Sequence, residues 1–213
     1  INLLETQRIP LMYLSGEPGG DGVAVIVDFE HGAFQDIGLN PSNTARDIVC
    51  TEFPDEFPPN ILSATINYTD GNVRIFADEY IDSTPTSLVN LSLIHIADVS
   101  EDKTVPLLGA GIVSKDDVYL TLLLTEAQRA AAIYVSGGPG GNGGAAVLDV
   151  SKSALTDITG GNRINALVTT ILTEASDTLR PSLGSAIIDY NNGKMVISAT
   201  ETLDVDNLPT QSN

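Results

Sequence analysis

Alternating apolar and polar residues predict two β-hairpins in separate parts of the chain. The segments 61–68 and 73–80 flank a TDGN turn, and the segments 182–190 and 194–200 flank an NNG turn. Asp-Gly and Asn-Gly dipeptides supply the positive φ angles that tight hairpin turns need. Partial alternation predicts three further strands, over 91–99, 106–114 and 117–124.

A different pattern marks the region that follows these strands. Thr125 and Gln128 form a Thr-x-x-Gln capping box ahead of the run RAAAI, which predicts a helix of two or three turns. A glycine-rich stretch comes next, and then two strand-like segments at 145–150 and 164–172. This segment is therefore expected to run from a helix through a glycine loop to two strands.

The same order of segments is written twice. Residues 15–37 and 136–158 are identical at eleven of 23 positions, and the similarity extends upstream into the helical segment. Residues 59–82 lie on 181–204 with ten identities. The repeat has a period of about 120 residues, which is too long for a solenoid and fits a β-sandwich domain.

The phase of the repeat predicts the domain organisation. Residues 1–57 are the second half of a repeat, 58–179 are a complete repeat, and 180–213 are the first half of another. The first segment is expected to pair with the last one or with a neighbouring subunit. The predicted fold is mostly β, with two Ig-like β-sandwich-type repeats of about 120 residues, each with one short α-helix, related by a pseudo-twofold axis.

The glycine-rich stretch resembles a phosphate-binding loop but has the wrong context. A phosphate loop follows a strand and opens a helix, whereas here the helix precedes the glycines and a strand follows them. No Gly-Lys-Ser/Thr triplet occurs. The glycines are expected to end the helix and turn the chain into a strand.

Charge and composition exclude several classes of partner. The net charge of −18 would repel nucleic acids, and no apolar run approaches the length of a membrane span. No cofactor is predicted. The recurring pairs Asp28/Asp149 and Asp36/Asp157 are weak calcium candidates, because carboxylates at sandwich ends can bind that ion; capping of turns is the alternative role.

Catalytic chemistry is not predicted from any motif. The two histidines occupy non-equivalent positions of the repeat, and no nucleophile–base arrangement has suitable spacing. The recurring pair Glu79/Glu201 leaves a carbohydrate-active enzyme as an unfavoured possibility, since the chain has no tryptophan to stack on a sugar. We expect a protein that is not an enzyme.

Two longer motifs carry a family resemblance. The strand motif ISATETLDVD and its twin IFADEYIDSTP resemble the bacterial-type Ig-like repeats of S-layer and large surface proteins. The repeat as a whole (TEAQRAAAIYVSGGPGGNGGAAVLDVSKSALTDITGGN, IDSTPTSLVNLSLIHIADVS) resembles tandem repeats of stramenopile and other algal proteins, including diatom pyrenoid shell proteins. The resemblance supplies no catalytic residue.

The resemblance and the incomplete outer repeats together suggest self-assembly. Strands that cannot bury an apolar face alone invite pairing with a neighbour. We expect a structural protein that forms a sheet, tube or shell around a compartment, with the plastid pyrenoid periphery as its location. The alternative is a segment of an extracellular adhesin, surface-layer or flagellar-hair protein.

Overall fold

The computed structural model describes residues 1–100, 103–164 and 166–204. The helices are α1 (Glu5–Tyr13) and α2 (Glu126–Tyr134), with short 3-10 helices at Thr86–Leu88 and Leu91–Leu93. The strands are β1 (Ile26–Phe29), β2 (Ala45–Val49), β3 (Ile61–Asn67), β4 (Asn72–Ile81), β5 (Ile94–Asp98), β6 (Thr104–Pro106), β7 (Gly111–Ile112), β8 (Asp117–Leu123), β9 (Ala146–Val150), β10 (Val168–Ala175), β11 (Leu183–Asp189) and β12 (Lys194–Ala199). A mostly β fold is confirmed.

The local predictions are confirmed at most of these elements. Strands β3 and β4 form the first predicted hairpin, and β11 and β12 form the second. Helix α2 begins at the predicted capping box, in which Thr125 accepts from the backbone of Gln128. The prediction of one strand over 106–114 is wrong, because Leu107 and Ala110 close a turn there and Gly109 has φ of +96°.

Eight strands form one sheet in the middle of the chain. Their order is β6-β5-β9-β10-β3-β4-β8-β7, and we call this the central sheet. All neighbouring pairs are antiparallel except β10 and β3, which are parallel. The strands on either side of that parallel pair contribute side chains to one buried core cluster, so the sheet curls around this cluster. Its members include Ile66, Ile75, Leu120 and Leu148.

Two further hairpins stand apart from the central sheet. Strands β1 and β2, preceded by α1, form the N-terminal module, and β11 and β12 form the C-terminal hairpin; together we call them the outer modules. Each is a separate two-stranded sheet, and the two do not pair with each other in the part of the chain that the structure describes. In the described ranges no helix is long and apolar enough to cross a membrane.

The N-terminal module has the same construction as α2, β9 and β10. In β1–β2, Ile26 lies opposite Val49, and at the corresponding place in β9–β10, Val147 lies opposite Ile171. The sequence offsets of 121 and 122 residues therefore carry over to the pairing register. The difference is that β10 has β3 as its second neighbour, whereas β2 has no second neighbour in the described residues.

Candidate functional site

An arginine and three carboxylates connect the N-terminal module to the end of β4; we call them the N-terminal joint. Arg8 donates from Nε to Glu5 (2.6 Å) and from Nη1 to Asp55 (2.6 Å), while Nη2 lies 3.4 Å from Glu79. The backbone amide of Tyr80 donates to Glu5 (3.1 Å). The joint therefore fixes α1 against the last residues of β4.

The same constellation recurs at α2 and forms the C-terminal joint. Arg129 donates to Glu126 (2.7 Å) and Asp177 (2.6 Å), and its Nη2 lies 3.8 Å from Glu201. The amide of Thr202 donates to Glu126 (2.7 Å). These residues are the repeat equivalents of those in the N-terminal joint, so the chain uses one polar connection twice.

The electrostatics of both joints follow from the central arginine. Hydrogen bonds from Arg129 lower the pKa of Glu126 to about 2. The pKa values of Arg8 and Arg129 are raised above their ordinary value, chiefly by their bonds to Glu5 and Glu126 respectively. Charge-assisted, forked arginine–carboxylate bonds fix orientation as well as position. Each joint is therefore a directional connector.

Glu79 differs from the other carboxylates of its joint. Its carboxylate forms a group with those of Asp55 and Asp157. One carboxylate oxygen from each of the three lies within 4.8 Å of the other two. Burial and the charge of Asp55 raise the pKa of Glu79 to about 7, although Arg8 opposes the shift. The N-terminal joint is therefore the one whose charge changes near neutral pH.

We expect Glu79→Gln to flatten the pH dependence of stability between about pH 4.5 and 7. The raised pKa means that the folded chain binds this proton more tightly than the unfolded chain, so the free energy of unfolding falls as pH rises through that window. The expected difference, reduced for solvent screening, is about 2 kcal/mol. Urea unfolding at several pH values measures this difference, and Glu56→Gln, at an exposed position, is the control. Parallel plots of unfolding free energy against pH for Glu79→Gln and the parent chain would contradict the prediction.

The two glycine loops act as scaffold at the ends of the helices. A Cβ added at Gly141 would collide with the carbonyl oxygen of Ser136, and one added at Gly20 would collide with that of Ser15. The amide of Gly143 donates to Ser136 O (3.1 Å), so the loop folds back on the end of α2. The predicted exit from helix to strand is confirmed, with β9 starting directly after the loop.

Each loop also binds a glutamate, which in one case lies in β10 (Glu174) and in the other lies three residues after the end of β2 (Glu52). The amide of Gly137 donates to Glu174 (3.3 Å), and that of Gly16 donates to Glu52 (3.1 Å). Glu174 has a further partner, because the hydroxyl of the buried Tyr68 donates to it at 2.6 Å. Burial and this bond raise the pKa of Tyr68. Among the described residues, no tyrosine hydroxyl donates to Glu52.

The outer modules expose side chains whose equivalents are buried in the central sheet. Tyr190 is 87% exposed and Ile188 is 44% exposed, whereas their equivalents Tyr68 and Ile66 are 2% and 1% exposed. In the N-terminal module a groove of about 250 Å³ lies between α1 and the strands, and its apolar lining includes Leu11, Met12, Val25, Cys50 and Phe53. Apolar surface of this kind typically marks an interaction site.

The four calcium candidates occupy unlike environments. Asp28 pairs with Arg46 at the surface, and Asp36 accepts from Asn40 in a loop, which lowers its pKa. Asp149 accepts from a threonine on the neighbouring strand. Asp157 is buried and joins Asp55 and Glu79. The structure thus brings one of the four into a carboxylate group and leaves the others apart.

Sequence reasoning missed several residues of the joints and the loops. Asp55 and Asp177 complete the two joints, and Glu52 and Glu174 bind the two glycine loops. A signal was present, because 51–59 and 173–181 share Thr, Glu, Asp and Pro at an offset of 122 residues. Glu79 and Glu201, by contrast, recur visibly in the sequence, and the structure places them in different joints.

The joints, the glycine loops and the uncovered outer modules are the features from which we infer a function. The joints and the glycine loops come in pairs that follow the repeat, and each outer module has its equivalent in the central sheet. Comparisons of the chain with protein-family models, with curated proteins and with solved structures find no match.

Proposed function

We propose that this chain is a structural subunit that associates with copies of itself into an extended assembly such as a sheet, tube or shell. The observation that carries the proposal is the exposure of apolar side chains on both outer modules at positions that are buried in the central sheet. Covering such surface is favourable by roughly 25 cal/mol per Å². A second copy offers surfaces of matching construction, and no other partner is needed.

The repeat supports a modular interpretation of this assembly. In this interpretation, the central sheet is one complete Ig-like, sandwich-type unit. The outer modules are portions of such units, and they become complete when copies associate. The acidic surface keeps the subunits soluble until specific contacts form. On the basis of the family resemblance, we extend the proposal to a wall around a compartment at the pyrenoid periphery.

The assembly is tested by electron microscopy and sedimentation velocity over a range of protein concentrations, with and without a calcium chelator. We expect particles that grow with concentration. They should survive chelation, because arginine–carboxylate bonds hold the outer modules in position within each copy. A monodisperse monomer at every concentration would contradict the proposed function.

A second candidate function is a segment of a longer extracellular array. The recurrence of one joint near both ends of β4 favours it, because tandem units of a single chain would need the same connection at each boundary. Loss of the particles on calcium chelation would favour this candidate over a shell subunit.

A further inference from the structure

The central sheet contains a strand pair that shows how the two outer modules fit together. Strand β3 is the equivalent of β11, and β10 is the equivalent of β2 together with the four residues that follow it, 50–53. Strands β10 and β3 pair in parallel through residues 172–175, which are the equivalents of those four residues. Their register places Leu172 opposite Ala64 and Glu174 opposite Ile66. Shifted by the repeat offset of 122 residues, this register places Cys50 opposite Ala186 and Glu52 opposite Ile188.

We propose that β11 of a first copy adds in parallel to residues 50–53 of a second copy, which extend β2, in the register of β3 and β10. This inference rests on the proposed self-assembly and specifies its partner, strands and direction. The contact is head to tail, because a C-terminal hairpin of one copy meets an N-terminal module of the next. Such contacts build open chains of subunits unless the rotation closes a ring.

Apolar side chains fit this pairing on both surfaces. The groove of the N-terminal module is lined by Leu11, Val25 and Cys50, and their equivalents Ala132, Ala146 and Leu172 belong to the core cluster of the central sheet. Residues of β3 and the residue that follows it, Ile66 and Tyr68, lie in that same cluster. In the proposed contact, Ile188 and Tyr190 of the copy that supplies β11 occupy the corresponding places.

Polar groups fit the same pairing. In the central sheet, Tyr68 donates to Glu174 (2.6 Å), and Arg129 donates to the carbonyl oxygen of Tyr68 (2.8 Å). The equivalent bonds across the proposed contact run from Tyr190 to Glu52 and from Arg8 to the carbonyl oxygen of Tyr190. Glu52 is already oriented by the amide of Gly16, so the acceptor is held in place before the copy that supplies β11 binds.

The fold prevents one copy from making this contact with itself. The N-terminal joint engages Glu79 and Tyr80 at the end of β4, while the C-terminal joint binds Tyr68, just before β4 begins. The ten residues of β4 place these ends about 30 Å apart. The two outer modules are therefore held at opposite ends of β4, and each of them meets its partner module in a different copy.

Disulfide trapping tests the register with the native Cys50, which is the only cysteine in the chain. Opposed residues on neighbouring strands lie within the Cα separation that a disulfide spans. We expect the Ala186→Cys variant, under mild oxidation, to give a ladder of covalent oligomers on a non-reducing gel. Ile187→Cys is the matched control, because its side chain points to the opposite face and should give dimers at most.

Three other outcomes separate this inference from the proposed function. Parent chains that assemble while both cysteine variants give the same gel pattern would overturn the register and leave self-assembly standing. Parent chains that stay monomeric in sedimentation would overturn both. As an independent measure, Tyr190→Phe should weaken association about tenfold by removing the bond to Glu52; an unchanged association constant would count against the pairing.

Discussion

The Ile188→Lys variant is expected to lose assembly while keeping its fold. In the single chain this side chain is 44% exposed, so a lysine there can reach water. In the proposed contact it occupies the place of Ile66, which is 1% exposed, and an unpaired ammonium buried there costs several kcal/mol. Sedimentation velocity should show a monomer at concentrations where the parent chain forms large particles, with an unchanged circular dichroism spectrum.

The neighbouring residue provides a matched control for that variant. Ile187→Lys adds the same charge one position away, on the face where the equivalent residue, Thr65, keeps partial exposure. Assembly of this control should persist. Equal loss of assembly in both variants would indicate a general charge effect and would contradict a specific role for the buried face of β11.

Gly141→Ala is expected to destabilise the fold by about 3 kcal/mol. The added methyl group would collide with backbone oxygens at the end of α2, and neither the helix end nor the loop can move without breaking the bond between Gly143 and Ser136. For a chain of this length, that loss lowers the midpoint of thermal unfolding by roughly 6–12 °C.

A second glycine of the same repeat unit separates the collision from the general effect of replacing glycine. A Cβ added at Gly161 would lie 3.8 Å from the hydroxyl oxygen of Thr159, which is an ordinary contact, and the position does not require positive φ. Gly161→Ala should therefore change the midpoint little. A small effect at Gly141 would mean that the loop can relax, and the glycine-rich stretch would need an explanation other than scaffold.

Local features of the fold could be predicted from the sequence because their causes are local. The turns at TDGN and NNG set two hairpins, and Thr125 with Gln128 sets the start of α2. The reversed order of helix and glycines identified the loop as scaffold. Each of these signals lies within a few residues of the structure that it specifies.

Long-range features could not be predicted in the same way. The parallel pairing of β10 with β3 joins residues more than 100 positions apart, and no turn or spacing specifies it. Asp55 and Asp177 reach their arginines only through the fold, although their recurrence was readable from the sequence. Of the four weak calcium candidates, Asp157 lies in the carboxylate group with Asp55 and Glu79. Asp28 and Asp36 lie in the N-terminal module, in β1 and in a loop, where Arg46 and Asn40 bind them.

Mixing two blocked variants tests the head-to-tail claim most directly. Ile188→Lys blocks the C-terminal hairpin, and Cys50→Lys blocks the N-terminal module at the equivalent of the buried Leu172. Each variant alone should be monomeric in sedimentation velocity, and an equimolar mixture should give a heterodimer and nothing larger, because one intact pair of surfaces remains. A mixture that stays monomeric, or a single variant that still forms long particles, would contradict the account.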